Sequence, residues 1–355
     1  SSSQTALRGD RVNLLRGYQE AVQAVLASQK ELDDRSRALA GSLDARLRET
    51  SQRLKDMGCF LPLPPPSNDG PWAVDGAYAA TRRLGDAVAI VAVAAAPEKG
   101  APLAAGEVHL IPHTPESEFL LRARMIMLEL LAAVELAKTK SCPVLLDGSF
   151  GSSLVMVNQA LRMGSRVDQS LWQMIESLVE PWAEALELVA FEGLPIVALP
   201  KLTSGYRIAP RMGLDLPMSD RALLSLLLSP GTWTSEARLY AALGVEIEEK
   251  GRFRFEGPLD GTLKKRLERV ASALQSRVEN AYVRLPEPAS VALAIEYCYS
   301  AKDAVALLHG TLPSPRLQEP LLLVAADEAA KSLCSLLQHL PQGQELWQAP
   351  YRSSR

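Results

Sequence analysis

At 355 residues, 47% hydrophobic and 22% charged, the chain is long enough to bury a large core, in one big domain with insertions or in two domains. No apolar run reaches membrane-spanning length, and nothing in Ser1-Ser2-Ser3 or the charged segment behind it reads as a signal peptide, so a soluble protein with the cytoplasm as its default location is expected, the absent initiator Met pointing to processing or a tag. A formal net charge of −3 excludes a chain coated in basic surface but leaves room for a local groove lined with Arg and Lys, while four cysteines, Cys59, Cys142, Cys298 and Cys334, without Cys-x-x-Cys pairing, signal neither a zinc site nor a disulfide framework.

From Asp10 to Lys55 the chain is polar, Ala- and Arg-rich and nearly free of helix breakers. Leu15, Tyr18, Val22, Val25, Leu32, Leu39 and Leu43 fall on alternating three- and four-residue steps, a narrow apolar seam on one or two long helices. Such a seam must be covered, either by the rest of its own domain or by a second chain. Residues 1–60 are therefore expected as an N-terminal helical element in dimer or partner contact. Cys59 to Pro71, with five prolines, reads as a stiff connection, with 61–71 as a Pro-rich linker. The main α/β domain is expected over 72–345, with insertions around 205–280.

That domain opens with Trp72-Ala73-Val74-Asp75-Gly76, an apolar strand running into Asp-Gly. Ala87 to Ala94 and Glu107 to Ile111 follow as strands around a Pro/Gly turn, which suggests an antiparallel meander. Glu116 to Lys138 is helical, and Pro143-Val144-Leu145-Leu146-Asp147-Gly148 repeats the strand-into-Asp-Gly pattern. Strand, strand, strand, helix, strand is the opening order of the ribonuclease H-like fold: a mixed sheet flanked by helices, here carrying an N-terminal helical extension. Further on, Ser170 to Phe191 reads as a helix, Leu194 to Leu199 as a strand delivering Pro200-Lys201, and Ser219-Asp220 as a helix cap. Val245 to Phe255 resembles a hairpin, Leu259 to Asn280 a basic helix with Lys264, Lys265, Arg266 and Arg269, Tyr282 to Leu285 and Val291 to Tyr299 two strands, and Gln318 to Leu340 a last helix.

Asp-Gly is a common turn, and either copy alone means little. Two such strands lying side by side, however, would hold two negative charges within a few ångströms, which requires a cation or a shared proton. Glu129 is an acid inside the apolar stretch Met125 to Leu131, where a carboxylate is costly unless paired or metal-bound; Glu135 falls nearly opposite and is expected in solvent. Asp327 follows another apolar run, Leu321 to Ala326. Ser149 and Ser152 raise a serine hydrolase, but Gly-x-Ser-x-Gly spacing is absent and the four histidines offer no obvious base.

Taken together, Val74-Asp75-Gly76, Glu129, Leu145 to Ser149, Pro200-Lys201 with Ser204, Ser219-Asp220 and Pro320 to Asp327 resemble the NurA nucleases, in their bacterial type. These enzymes work with the HerA hexameric DNA translocase in DNA end resection and double-strand break repair. The resemblance runs from Trp72 to about Leu340. It implies that Asp75, Glu129, Asp147 and Asp327 hold Mn²⁺ or Mg²⁺, a pair of ions, and that the chain is a homodimeric, DNA-binding, metal-dependent deoxyribonuclease acting on single- or double-stranded ends. Glu319-Pro320 departs from the Tyr-Pro common in the family, and Asp327 stands where some members have His, so the fourth ligand is the least fixed. Two cations could generate the attacking water and stabilise the leaving oxygen; Lys201 would pair with a phosphate, and Arg82, Arg83, Arg122 and Arg124 are candidates for backbone contacts. The rival readings are a resolvase-type nuclease and an inactive scaffold that binds a motor protein.

Overall fold

Alternating small and branched residues from Trp72 onward can serve either a helix or a strand, and Ala-rich stretches ordinarily favour helix. Pairing decides the matter. The computed structural model of the chain describes residues 29–30, 43–82, 86–201, 205–214, 218–246, 251–288, 290–311 and 319–336. The chain divides into two units, residues 1–56 and 57–355. In the first, residues 43–56 are helical (α1). Leu43 is the one member of the expected seam among the described residues; Leu15, Tyr18, Val22, Val25, Leu32 and Leu39 lie outside them.

The second unit runs β1 (Leu61–Pro62), β2 (Trp72–Arg82), β3 (Asp86–Pro97), β4 (Leu103–Pro112), α2 (Pro115–Thr139), β5 (Val144–Asp147), α3 (Phe150–Met163), α4 (Gln169–Glu192), β6 (Ile196–Leu199), α5 (Ile208–Arg211), α6 (Asp220–Leu227), β7 (Thr232–Ser235), α7 (Glu236–Leu243), α8 (Gly261–Arg277), β8 (Glu279–Arg284), β9 (Ala292–Tyr297), α9 (Ala301–His309) and α10 (Leu321–Ser335). Among the described residues the strands form one nine-stranded sheet in the order β1-β7-β8-β9-β6-β5-β2-β3-β4. β2, β3 and β4 are the expected antiparallel meander. β5 pairs parallel with β2 on one side and with β6 on the other, and the remaining pairs are antiparallel. This is the mixed, helix-flanked sheet expected from the sequence.

Both faces of the sheet are covered. Val74, Leu146 and Ile196 pack beneath α2, α3, α4 and α8 through residues such as Met127, Leu154, Trp182 and Leu274. On the opposite face Ala73, Leu145 and Val197 meet Val305 and Leu308 of α9 and Leu323 and Ala326 of α10. Farther along α10, Ala330 and Cys334 lie on Val88, Ala92 and Ala94 of β3. The small side chains of β3 let α10 sit close, and burial of each large apolar side chain contributes about 1.5–3 kcal/mol.

Several expectations change on contact with this packing. The Pro-rich 61–71 stretch does more than connect: β1 pairs with β7, Leu63 N–H donates to Gly231 O at 3.1 Å, and Ser67 N–H to Ala306 O at 2.9 Å. No hairpin is seen at 245–255, since 251–256 form no strand and 247–250 lie outside the described residues; Phe255 is instead buried edge-on against Trp182. The basic helix is α8, shorter than expected because Glu279 and Asn280 already belong to β8. Arg124 is no nucleic-acid contact. It is buried, forks onto Glu107 of β4 (2.6 and 3.0 Å), and donates to Met174 O and Ser177 Oγ of α4. Arg122 is exposed, while Arg83 and the Arg82 side chain lie outside the described residues.

Arg124 thus ties β4, α2 and α4 together, and its loss leaves Glu107 to His109 and removes the donor to Met174 O and Ser177 Oγ. Arg124→Ala is expected to cost about 2–4 kcal/mol in chemical denaturation, whereas Arg122→Ala should stay within about 0.5 kcal/mol. Equal, small effects from both would remove Arg124 from the framework.

Candidate functional site

The site is set by strand register. Trp72, Ala73 and Val74 lie opposite Val144, Leu145 and Leu146 in the parallel β2–β5 pair, so the next residues, Asp75 and Asp147, end up on neighbouring strands about 5 Å apart. Period-two alternation places both on the face of Ala73 and Leu145, the face covered by α10. β5 stops there because Gly148, at φ 110°, turns the chain away. Its N–H donates to Leu199 O at 3.2 Å, and α3 begins two residues later. Ser149 caps α3 by accepting from Ser152 N–H (3.2 Å), and its hydroxyl donates to Glu296 Oε1 (2.8 Å). Glu296 also accepts from Phe150 N–H at 2.7 Å. Ser149 is therefore committed to holding the turn that presents Asp147, which removes the support for a serine hydrolase.

Glu129 arrives from the other face, on α2. Gly76 makes this possible: a Cβ there would meet Glu129 Oε1 at 2.5 Å and Met125 Cγ at 2.7 Å. With hydrogen in that place, α2 lies against β2 and the Glu129 carboxylate sits at Gly76, next in the chain to Asp75, where it feels the charges of both aspartates. Asp75 is 4% and Glu129 6% exposed. Asp75 Oδ1 accepts from Gly76 N–H at 2.7 Å, while Asp75 Oδ2 and Asp147 Oδ1 are buried without a hydrogen-bond partner. Two such oxygens on adjacent strands are costly without a compensating cation.

The charges respond accordingly. Burial first, and then the Asp147 charge, push the Asp75 carboxyl up to about 8. Glu129 is raised well above the carboxylate range by burial, then by Asp75 and Asp147. Lys201, following β6, places Nζ 3.0 Å from Asp147 Oδ2 and 3.7 Å from Glu319 Oε2, with its side chain 53% exposed. Burial alone would depress Lys201, but the hydrogen bond and charge of Asp147, with Asp75 and Glu319 behind them, reverse this and hold it above its usual value. Asp327 is half-buried rather than buried, and it is not unpaired: Lys331 Nζ lies 2.6 Å from its Oδ2. Its charge nonetheless reaches Asp75 and Glu319. Glu135 is exposed, as expected, and Ser204 lies outside the described residues.

Sequence reasoning missed two acids here. Glu319 shares Lys201 with Asp147, and it lines a cavity of about 390 Å³ with Lys201, Arg221, Asp327 and Lys331; Glu319-Pro320 was legible only as a departure from the family pattern. Glu296 carried no signal at all, because its partner lies 147 positions away in sequence. Ser219 caps α6 as expected by accepting from Ala222 N–H, while Asp220 is a buried latch that accepts from Arg207 and Ile208 N–H, each at 2.9 Å.

Among the described residues, no three His, Cys, Asp or Glu side chains stand close enough in this arrangement to hold one ion together. In chemistry the donors do fit a divalent cation: hard carboxylate oxygens, two of them buried without partners. The Lys201 ammonium already sits on Asp147 as the local counter-charge. Asp75, Asp147 and Glu129 are the residues that would hold a cation, with Asp327 and Glu319 farther out.

The sign of the Asp75 shift gives a test. A carboxyl raised from 3.8 to about 8 in the fold keeps its proton where the unfolded chain has lost it, so the metal-free fold loses stability as pH rises from about 4 toward 8. At about 1.4 kcal/mol per unit the loss amounts to a few kcal/mol. Asp75→Asn should flatten this decline and be the more stable form at pH 8 in chelator, as read by urea denaturation. An unchanged slope in Asp75→Asn would contradict the assignment.

No protein-family model matches the chain, and no curated protein matches it by sequence. Solved structures match in fold. The crystal structure of the NurA nuclease from Sulfolobus solfataricus covers 88% of this chain and 96% of its own, at 12% identity and a TM-score of 0.52. A crystal structure of NurA covers 86% and 96%, at 14% identity and a TM-score of 0.52. One of NurA with manganese covers 86% and 97%, at 15% identity and a TM-score of 0.48. At such identity the likeness is one of fold and does not extend to a bacterial subtype. The chain has the NurA fold.

Proposed function

We propose that the chain is a metal-dependent deoxyribonuclease that hydrolyses phosphodiester bonds at DNA ends. The observation that carries this reading is the in-register pair Asp75 and Asp147, each with a buried, unpartnered oxygen, with the buried Glu129 against Gly76 next to Asp75. A NurA-like fold supports it. In this reading the cofactor is Mn²⁺ or Mg²⁺, as a pair of ions, and it supplies a nucleophilic water and charge stabilisation at the phosphate.

The chain's own side chains then have distinct tasks. Asp75, Asp147 and Glu129 hold and orient the cations. Lys201, half in solvent beside Asp147, offers a point charge to the scissile or adjacent phosphate. Asp327 and Glu319 shape the outer rim of the site and balance Lys201 and Lys331. The reading includes a homodimer, a HerA-like ATP-driven translocase as partner in end resection and repair, and residues 1–60 as the element that contacts one or the other. No described helix is long and apolar enough to cross a membrane. An inactive scaffold is the weaker reading, since scaffolding gives no reason to gather buried, unpaired acids.

End-labelled linear DNA incubated with Mn²⁺, with Mg²⁺ and with chelator tests the reading. Cleavage should need the metal. Asp75→Ala and Asp147→Ala should each reduce it by about 10²–10³-fold, the worth of several kcal/mol of lost charge stabilisation. Asp327→Ala should raise the metal concentration needed for half-maximal rate, and Asp327→His should retain part of the activity. Exposed Glu328, about 100° around the helix, should tolerate Ala. Wild-type cleavage by Asp75→Ala or Asp147→Ala would refute the proposal; unchanged metal dependence in Asp327→Ala would remove only that residue.

A further inference from the structure

The basic helix noted in the sequence plays no part in the site, and the structure gives it a setting. Residues 252–258 form a strap laid between α3 and α8. Phe253 N–H donates to Ser272 Oγ at 3.1 Å, and Phe255 N–H to Glu268 Oε1 at 3.2 Å, both on α8. Toward α3, Asn158 donates to Arg254 O and accepts from Glu256 N–H, both at 3.0 Å. Gly257, at φ 150°, passes so close to α3 that a Cβ would stand 2.5 Å from Leu161 O. Held on both sides, the strap alternates like a strand: Phe255 is buried and Phe253 half-buried, whereas Arg252, Arg254 and Glu256 face out.

Between the strap and the first turns of α8 lies a groove of about 820 Å³, with five Arg or Lys and two Glu among its lining residues. Some of these charges are spent. Arg269 pairs with Glu187 at 3.2 Å, and Glu268 accepts from the strap. Arg266 is not part of the groove's lining and forks onto Glu187 (3.0 and 2.6 Å). Arg252, Arg254, Lys264 and Lys265 remain without an ion-pair partner among the described residues. On the far side of the strap a second hollow, of about 790 Å³, adds Arg166. On a chain of net charge −3, this is a concentrated positive surface with an aromatic floor.

We infer that this groove binds the backbone of a single-stranded nucleic acid as a site separate from the carboxylates, with Phe253 as a stacking surface and the four cations as phosphate contacts. Basic walls over an aromatic floor are the chemistry by which single strands are held without sequence preference. The placement suits such a role: α3 starts three residues after Asp147 and, over 14 residues, leads about 20 Å away to the strap. The inference rests on the nuclease reading for its purpose but not for its test.

The test is fluorescence anisotropy of a labelled single-stranded oligonucleotide with the full chain in chelator. Replacing Arg252, Arg254, Lys264 and Lys265 together by Ala should weaken binding at least about tenfold and flatten the dependence of log K on log salt by about 0.7 for each phosphate that is no longer neutralised. Phe253→Leu should weaken binding while leaving the salt slope unchanged. All four cations are at or near the surface, and the circular dichroism spectrum should not change. Metal-dependent cleavage of a dinucleotide, too short to reach the groove, should be unaffected by the quadruple change. If that cleavage is absent in the wild type while oligonucleotide binding still depends on the four cations, the nuclease reading fails and the groove stands. Unaltered affinity and salt slope in the quadruple variant would overturn the groove, as would equal affinity for duplex DNA or for polyglutamate.

Discussion

The parallel pairing of β2 with β5 sets up everything chemical in this molecule. Register places Asp75 beside Asp147 on neighbouring strands, with Asp75 buried and Asp147 largely shielded from water. Carboxylates carried on neighbouring strands whose backbones lie about 5 Å apart, one of them buried, cannot both ionise freely. One of them keeps a proton, or a cation joins them. Lys201 meets part of that need at Asp147 but leaves Asp75 Oδ2 and Asp147 Oδ1 without partners.

The surrounding fold works to hold this unfavourable arrangement. Gly76 lets α2 approach closely enough for Glu129 to add a third acid, so a residue chosen for its missing side chain raises the local charge density. Glu296, from β9, clamps the Ser149 hydroxyl and the start of α3, fixing the turn after Asp147 from across the sheet. Arg124 ties α2 to β4 and α4, which keeps Glu129 from swinging away with its helix. The cost of gathering the acids is carried by a large two-faced core, in keeping with a functional site that a rigid scaffold overrides into place.

Much of this was legible in the chain itself. Two apolar runs leading into Asp-Gly marked both strands, although only β5 ends there and β2 continues to Arg82, and Glu129 stood out as an acid within an apolar helix face. Local pattern was enough because each of these residues sits inside the element that positions it. Residues whose placement depends on distant partners were not legible. Arg124 looked like a surface charge because Glu107, Met174 and Ser177 lie on other elements. The 245–255 hairpin failed because Phe253 and Phe255 alternate to fill a gap between helices rather than to pair with a strand. The apolar neighbours of Asp327 pointed to a buried or cleft position, and the cleft is the one it takes, because the face of α10 that meets the sheet is Leu323, Ala326, Ala330 and Cys334. Glu319 could be found only once Lys201 was seen between it and Asp147.

The central claim is that Asp75 and Asp147, on the neighbouring strands β2 and β5, form a site for a divalent cation, which displaces the protons that burial and mutual repulsion hold there. Calorimetric titration of Mn²⁺ into the chelator-stripped chain at neutral pH, repeated in buffers of different ionisation enthalpy, reads both events at once. The account predicts saturable binding accompanied by proton release, with both diminished in Asp75→Asn. Binding without proton release, or no binding at all, would contradict it.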